Sequence, residues 1–247
     1  MTLTILAVSR QGHGFSIIGY SAGKFVRLIN PTPDGILVPR SFRIWGRQRP
    51  RVWDVLDLDA PYTDSRPAQP ENRILGDRRW LLLQRPAHDW RIPLSTEPDL
   101  FGSRGAAIRA PLVAIDASIL CIEPSAAVAL CTWREDRERF QPRLQFTYGG
   151  SVYNLPLTDA TWAPRLTAGG EGEHTLDAIG CRAPHGVRLI VSLGEPWRGW
   201  CYKTVAGILP NRRATLWPDA SPTTFSDAQW RAADGPLERA DSAVRGA

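Results

Sequence analysis

Glu195, Trp197, Arg198, Trp200, Tyr202 and Lys203 place an acid, two bases and three aromatic rings within nine residues, inside the phrase SLGEPWRGWCYKTVAGIL of residues 192–209. A carboxylate and an ammonium so close together are what a metal-dependent nuclease or phosphodiesterase uses to hold a divalent ion and a phosphate. That chemistry also asks for further convergent carboxylates. Asp54, Glu71 and Asp159 are candidates, but no ordered spacing links them to Glu195. Glu195 and Lys203 are therefore named as a catalytic pair only for the case that the protein is an enzyme, and a non-catalytic role is preferred. In that role the acid and lysine fix the loop or touch phosphate, while Trp197 and Trp200 offer rings on which bases stack.

A second concentration of chemistry lies in residues 40–53, RSFRIWGRQRPRVW, where Arg40, Arg43, Arg47, Arg49 and Arg51 alternate with Phe42, Trp45 and Trp53. Basic residues interleaved with aromatic platforms are the means by which a small barrel tracks a single strand. The charge is localised in the same way: residues 1–53 hold eight Lys or Arg against Asp34 alone, a local +7 in a chain of net +5, which leaves −2 for the rest. Lys24 and Lys203 are the only lysines, and arginine adds a planar fork for phosphate. Arg10 and Arg27 continue the basic track on neighbouring strands. The expected nucleic-acid contacts are Arg10, Arg27, Arg40, Arg43, Trp45, Arg47, Arg49, Arg51, Trp197, Arg198, Trp200 and Lys203. Gln69, Glu71 and Asn72 predict a polar clamp within a connection, and Asp159, with Thr158, predicts helix-capping chemistry.

Several other chemistries lack their motifs. RQGHGFS and TAGGEGEH are glycine-rich, yet neither ends in the GK[ST] of a phosphate loop. Ser192 is not in a GxSxG elbow. His174, Cys181 and His185 lack the paired spacing of a zinc site, and no metal or cofactor is expected. Cys121, Cys131, Cys181 and Cys201 show no CxxC spacing and are expected to be buried thiols.

The elements that position these residues read as strands. Residues 3–8, 15–20 and 25–29 are short apolar runs separated by turns, a meander, and residues 52–58 alternate as a half-buried strand with one irregularity. Residues 61–105 are rich in Pro, Asp and Arg and predict long connections. Strands are predicted again over 112–115, 118–122, 126–132, 144–148 and 152–157, with a short helix over 160–166. Residues 187–193 and 202–209 complete the pattern as strand, loop and strand, so that Glu195, Trp197, Arg198 and Trp200 sit at one end of a sheet. The expected fold is mainly β, with few short helices, in two β-rich halves: residues 1–105 hold a small barrel with its long connection, 106–210 the second half, and 211–247 form a flexible tail. No apolar run approaches the length of a membrane span and no cleavable leader precedes residue 15, so a cytoplasmic location away from membrane is expected.

Five phrases, in order, carry a resemblance. Ser9-Arg10-Gln11-Gly12 follows the first strand; Phe25-Val26-Arg27-Leu28-Ile29 is a strand with a central arginine; Gln69-Pro70-Glu71-Asn72 is a QxEN-like phrase; Phe146-Thr147-Tyr148-Gly149-Gly150 leads through Tyr153 to Thr158-Asp159; and residues 192–209 close the series. Together they resemble the bacterial dual OB-containing domain family. Phe25 stands where that family commonly has Trp, Leu28-Ile29 replaces a proline-containing pair, and Ala160 follows Asp159 where proline is usual. The resemblance implies two OB-like barrels, nucleic acid as partner, and an accessory or sensing role in bacterial defence or mobile-element systems. An effector protein recruited by an interaction module is the alternative partner.

Overall fold

The computed structural model describes residues 1–38, 41–42, 44, 50–64, 68–85, 92–110, 116–183 and 186–210. Strands β1 (Thr2–Gln11), β2 (Gly14–Ser21) and β3 (Lys24–Ile29) form the expected meander. β4 (Val55–Asp57) pairs antiparallel with β1, and β6 (Asn72–Ile74) pairs in parallel with β3. With β5 (Tyr62–Thr63) and β7 (Leu81–Gln84) they make one seven-stranded curled sheet, ordered β5-β6-β3-β2-β1-β4-β7. The proline-rich stretch read as connection thus supplies three short strands of the first barrel. Their lengths of two to four residues are too short to show a period.

Alternation along β1 explains how this sheet is buried on both faces. Leu3, Ile5 and Val8 point into the first barrel with Phe15, Ile17, Leu28 and Trp80. A register shift between Ile5 and Ala7 turns two successive residues, Leu6 and Ala7, to the outer face. That face does not meet solvent. Leu6, Ala7, Ile18 and Trp53 pack against Ile119, Cys121, Ile190, Ala206 and Leu209, forming an apolar seam between the two halves of the molecule.

The second half repeats the pattern. β10 (Ala126–Arg134), β11 (Arg139–Tyr148) and β12 (Ser151–Pro156) form a meander, β13 (Gly172–His174) pairs with β10, and Leu157 bridges in parallel to Val205 of β15 (Trp200–Pro210). β15 itself lies in a sheet ordered β8-β15-β14-β9, with β8 Ala107–Arg109, β9 Ile119–Ile122 and β14 Val187–Leu193. In both halves, then, the first meander strand pairs antiparallel with a later strand, and the third meets a later strand in parallel, an architecture that the chain shows no sequence repeat to announce.

The core of the second barrel joins Leu144, Phe146, Tyr153, Leu155, Val191 and Val205 to Ala163 and Leu166 of the helix α1 (Trp162–Ala168). The helix starts two residues later than expected, and Asp159 stands two residues before its N-cap, Thr161. Asp159 Oδ1 accepts the backbone N–H groups of Thr161 (2.7 Å) and Trp162 (3.1 Å), and its Oδ2 accepts that of Ile208 (2.9 Å). Burial outweighs these donors and pushes the Asp159 carboxyl up to about 6. All four cysteines are free and buried, and burial drives the Cys121 and Cys181 thiols up to about 12. No helix among the described residues is long and apolar enough to cross a membrane.

Candidate nucleic-acid interface

The phrase of residues 192–209 folds as a hairpin. Leu193 pairs with Lys203, and Gly194 N–H reaches the Tyr202 carbonyl at 2.8 Å, before the chain enters the loop. At the tip Trp197 and Trp200 exchange two backbone hydrogen bonds of 2.8 and 3.0 Å. Arg198 and Gly199 between them have φ of 50° and 81°, the pattern of a two-residue type I′ turn. Glycine adopts this freely; Arg198 holds a left-handed backbone that costs an L-residue about 1–2 kcal/mol.

Side chains alternate from the turn onward. Trp200 and Tyr202 point outward and Cys201 and Lys203 inward. The tip therefore exposes Trp197 (56 %), Trp200 (39 %) and Tyr202 (43 %), a concentration of accessible aromatic surface unusual for a folded domain. Trp197 and Tyr202 lie 6.1 Å apart between ring centroids. The Arg198 guanidinium sits 4.6 Å from the Trp197 ring, and Arg109 of β8, directly across from Trp200, sits 5.4 Å from that ring. These cation–π pairs set planar cations beside rings, which is what contact with a stacked base and its phosphate requires.

Lys203 has the opposite fate. It is fully buried, its Nζ donates to the Ser103 carbonyl at 2.5 Å, and it stands 5.7 Å from the centroid of the Tyr153 ring. Tyr153 in turn accepts the Leu100 N–H and lies 3.4 Å from Asp99. Burial lowers the Lys203 ammonium to about 8, with Asp99 opposing. Expected as a phosphate contact, or as one half of a catalytic pair with Glu195, Lys203 instead pins residues 99–105 beneath the hairpin. Glu195 is partly buried at the start of the loop.

Arg27 also leaves the expected surface. It is 3 % exposed and donates to Asn72 Oδ1 (3.2 Å), Ser118 Oγ (3.0 Å) and Ser192 Oγ (2.8 Å), so one guanidinium joins both barrels. Ser118 passes its own proton on, donating Oγ–H to Glu71 at 2.6 Å while its N–H donates to the same carboxylate at 2.5 Å. Gln69 donates to the Leu193 carbonyl at 3.0 Å, and its Oε1 accepts from Asn72 at 3.3 Å. Parallel pairing of β3 with β6 is what sets Asn72 beside Arg27. The residues expected as a clamp within one connection bind across the seam.

The remaining predicted contacts are dispersed. Arg10 is exposed near the end of β1, where its N–H donates to the Thr158 carbonyl at 2.7 Å. Arg51 is partly buried beside the Asp54–Arg85 ion pair, whose two contacts are both 2.6 Å; burial and then Arg85 lower its guanidinium, with Asp54 opposing. Trp53 packs in the seam. Arg40, Arg43, Trp45, Arg47 and Arg49 lie outside the described residues, as does His185. Tyr202, counted within the phrase but not among the expected contacts, and Arg109 are the further members of the exposed cluster. Alternation from Trp200 would have found Tyr202; Arg109 is brought in by the pairing of β8 with β15, for which no local signal exists.

Neither curated proteins nor solved structures give a match to this chain. The family model of the dual OB-containing domain matches residues 1–208. OB barrels are a fold that takes oligonucleotides, and the match spans both meanders, the seam and the aromatic hairpin: the chain belongs to the dual OB-containing domain family.

Proposed function

We propose that this protein binds nucleic acid without cleaving it, taking single-stranded or distorted DNA or RNA, and serves as an accessory or sensor in a bacterial defence or mobile-element system. The observation that carries the binding role is the exposed group of Trp197, Trp200 and Tyr202 with Arg198 and Arg109 on an OB barrel. The basic run Arg40 to Arg51 supports it from the sequence, as the electrostatic track that would draw a polyanion to the molecule. The biological setting is supported by the family resemblance alone.

Titration of fluorescent single- and double-stranded DNA and RNA at several salt concentrations, with and without magnesium, tests the proposal. Binding without cleavage is expected in both conditions. Replacing Arg43, Arg47 and Arg49 together should weaken binding and reduce the slope of log affinity against log salt by roughly 2–3. Unchanged affinity and slope would count against the basic track. Magnesium-dependent cleavage lost in Glu195→Gln would overturn the non-catalytic assignment.

A further inference from the structure

We infer that the Trp197–Trp200 turn is an end-stacking platform: it takes the terminal base pair where a duplex meets single strand, in preference to a run of unpaired bases. The inference rests on the nucleic-acid binding proposed above and names the form of nucleic acid.

A run of unpaired bases needs several aromatic platforms spaced along a groove. Here the exposed rings are gathered on one two-residue turn. Among the described residues the other well-exposed aromatics are Tyr62 and Trp133, on β5 and β10, which belong to different sheets from the hairpin. The outer face of β1–β3, where an OB barrel would lay a strand, is occupied by the second barrel, with Leu6, Ala7 and Ile18 at most 1 % exposed. Among the described residues the first barrel therefore has no lined groove on this face, the open face of β11 and β12 in the second barrel exposes Gln145, Val152 and Asn154 but no ring, and the rings gather at the projecting tip.

The tip has the properties of a plate for one end of a stack. Trp197 and Tyr202 are tilted by 57°, so a flat base lies on one ring and meets the other edge-on. Such a pair receives one base plane, with no continuation along a strand. The turn is closed by two hydrogen bonds, β8 pairs with β15 at Trp200, Cys201 and Tyr202, and Lys203, the next residue, donates to the Ser103 carbonyl. Little ordering is left to be done on binding. Arg198 and Arg109, beside separate indoles, stand ready for the phosphates of the two strands that part at a junction.

The full chain is titrated with three labelled DNAs: a forked duplex, the same duplex with blunt ends capped by tight loops, and oligo-dT of 10, 20 and 40 nucleotides. A second fork carries 2-aminopurine in its terminal pair. The fork should bind about tenfold more tightly than the capped duplex or dT, a difference of the size one stacked base contributes. Affinity for dT should level off at the shortest length once site number is allowed for, and 2-aminopurine fluorescence should fall on binding. Trp197→Ala should remove the preference for the fork and the fluorescence change, and Trp197→Phe should keep both. Affinity for dT that grows with length and equals that of the fork would overturn end-stacking while leaving nucleic-acid binding in place. So would a preference that survives Trp197→Ala. Failure of all three DNAs and their RNA counterparts to bind would overturn both.

Discussion

Replacing Arg27 by Met should loosen the two barrels from each other. The guanidinium is 3 % exposed and its three hydrogen bonds, at 2.8–3.2 Å, join Asn72 of the first barrel to Ser118 and Ser192 of the second. Hydrogen bonds from a charged donor contribute ~1.5–3 kcal/mol each, but the desolvation of a buried cation offsets much of that sum. Met fills a similar volume, so cavity formation is a minor part of the loss. What remains is the cost of leaving the buried Asn72 and Ser118, and through Ser118 the partly buried Glu71, without their cation, and breaking a buried charged network costs about 3–5 kcal/mol. Equilibrium unfolding in urea, followed by tryptophan fluorescence, should show that loss. In a chain of this size it corresponds to a fall in Tm of roughly 6–20 °C. Arg27→Lys keeps the charge, yet one ammonium cannot reach three acceptors on two barrels, so at least half the loss should persist. A double-mutant cycle with Ser192→Ala should give a coupling of about 1 kcal/mol. A loss below 1 kcal/mol in Arg27→Met, or full stability in Arg27→Lys, refutes the seam as an electrostatic latch.

Two further outcomes are expected. Burial sets the folded Lys203 ammonium near 8 against an ordinary 10.5, so the folded state releases this proton first, and the Lys203 contribution to stability should rise as pH climbs from about 8 to about 10.5, by up to ~3 kcal/mol, against the opposite trend of the buried thiols. Lys203→Met should remove that rise, and unfolding curves of the two proteins that run parallel across this window would disprove it. A Cβ on Gly207 would lie 2.8 Å from Ala7 Cβ and 3.2 Å from the Leu6 carbonyl oxygen, so Gly207→Val should cost about 1–3 kcal/mol in thermal unfolding; an unchanged Tm would show that β1 and β15 have room to part.

The strand expected over 112–115 lies outside the described residues, and of residues 52–58 only 55–57 form a strand. Periodicity read correctly in the long described strands with one apolar face. Residues 144–148 and 187–193 are such cases, and both lie in strands that extend or match the expected bounds. It failed for β5, β6 and β7, whose few residues hold no period and whose pairing is set by distant partners. Arg27 shows a different limit. Alternation places it on the outer face of β3, and outer is ordinarily solvent; nothing local says that another barrel covers that face. Lys203, in contrast, was legible: Cys201 and Val205, two residues to either side, are apolar and buried, and period two puts the lysine between them. The tip turn was legible too, since glycine follows Arg198 at the position where a two-residue hairpin needs a left-handed backbone.

The family phrases that proved not to face solvent still act on the one that does. Gln69 holds the carbonyl of Leu193, the last residue of β14 before the hairpin loop, and Arg27 holds the side chain of Ser192 just ahead of it. Lys203, paired across the hairpin with Leu193, is held on the other strand by Ser103. Both strands are thus fixed at the point where the loop departs, one by the first barrel and one by residues 99–105 of the connection. A hairpin anchored at its base transmits that fixed position through Gly194, Tyr202 and the closed turn to Trp197 and Trp200. The two barrels share a topology yet divide the work. The first has its β1–β3 face occupied by the second, whereas in the second the equivalent strands β10–β12 keep Gln145, Val152 and Asn154 exposed. Closing one face of the first barrel thereby supplies rigid support for the aromatic tip, and the seam and the tip are mechanically one unit.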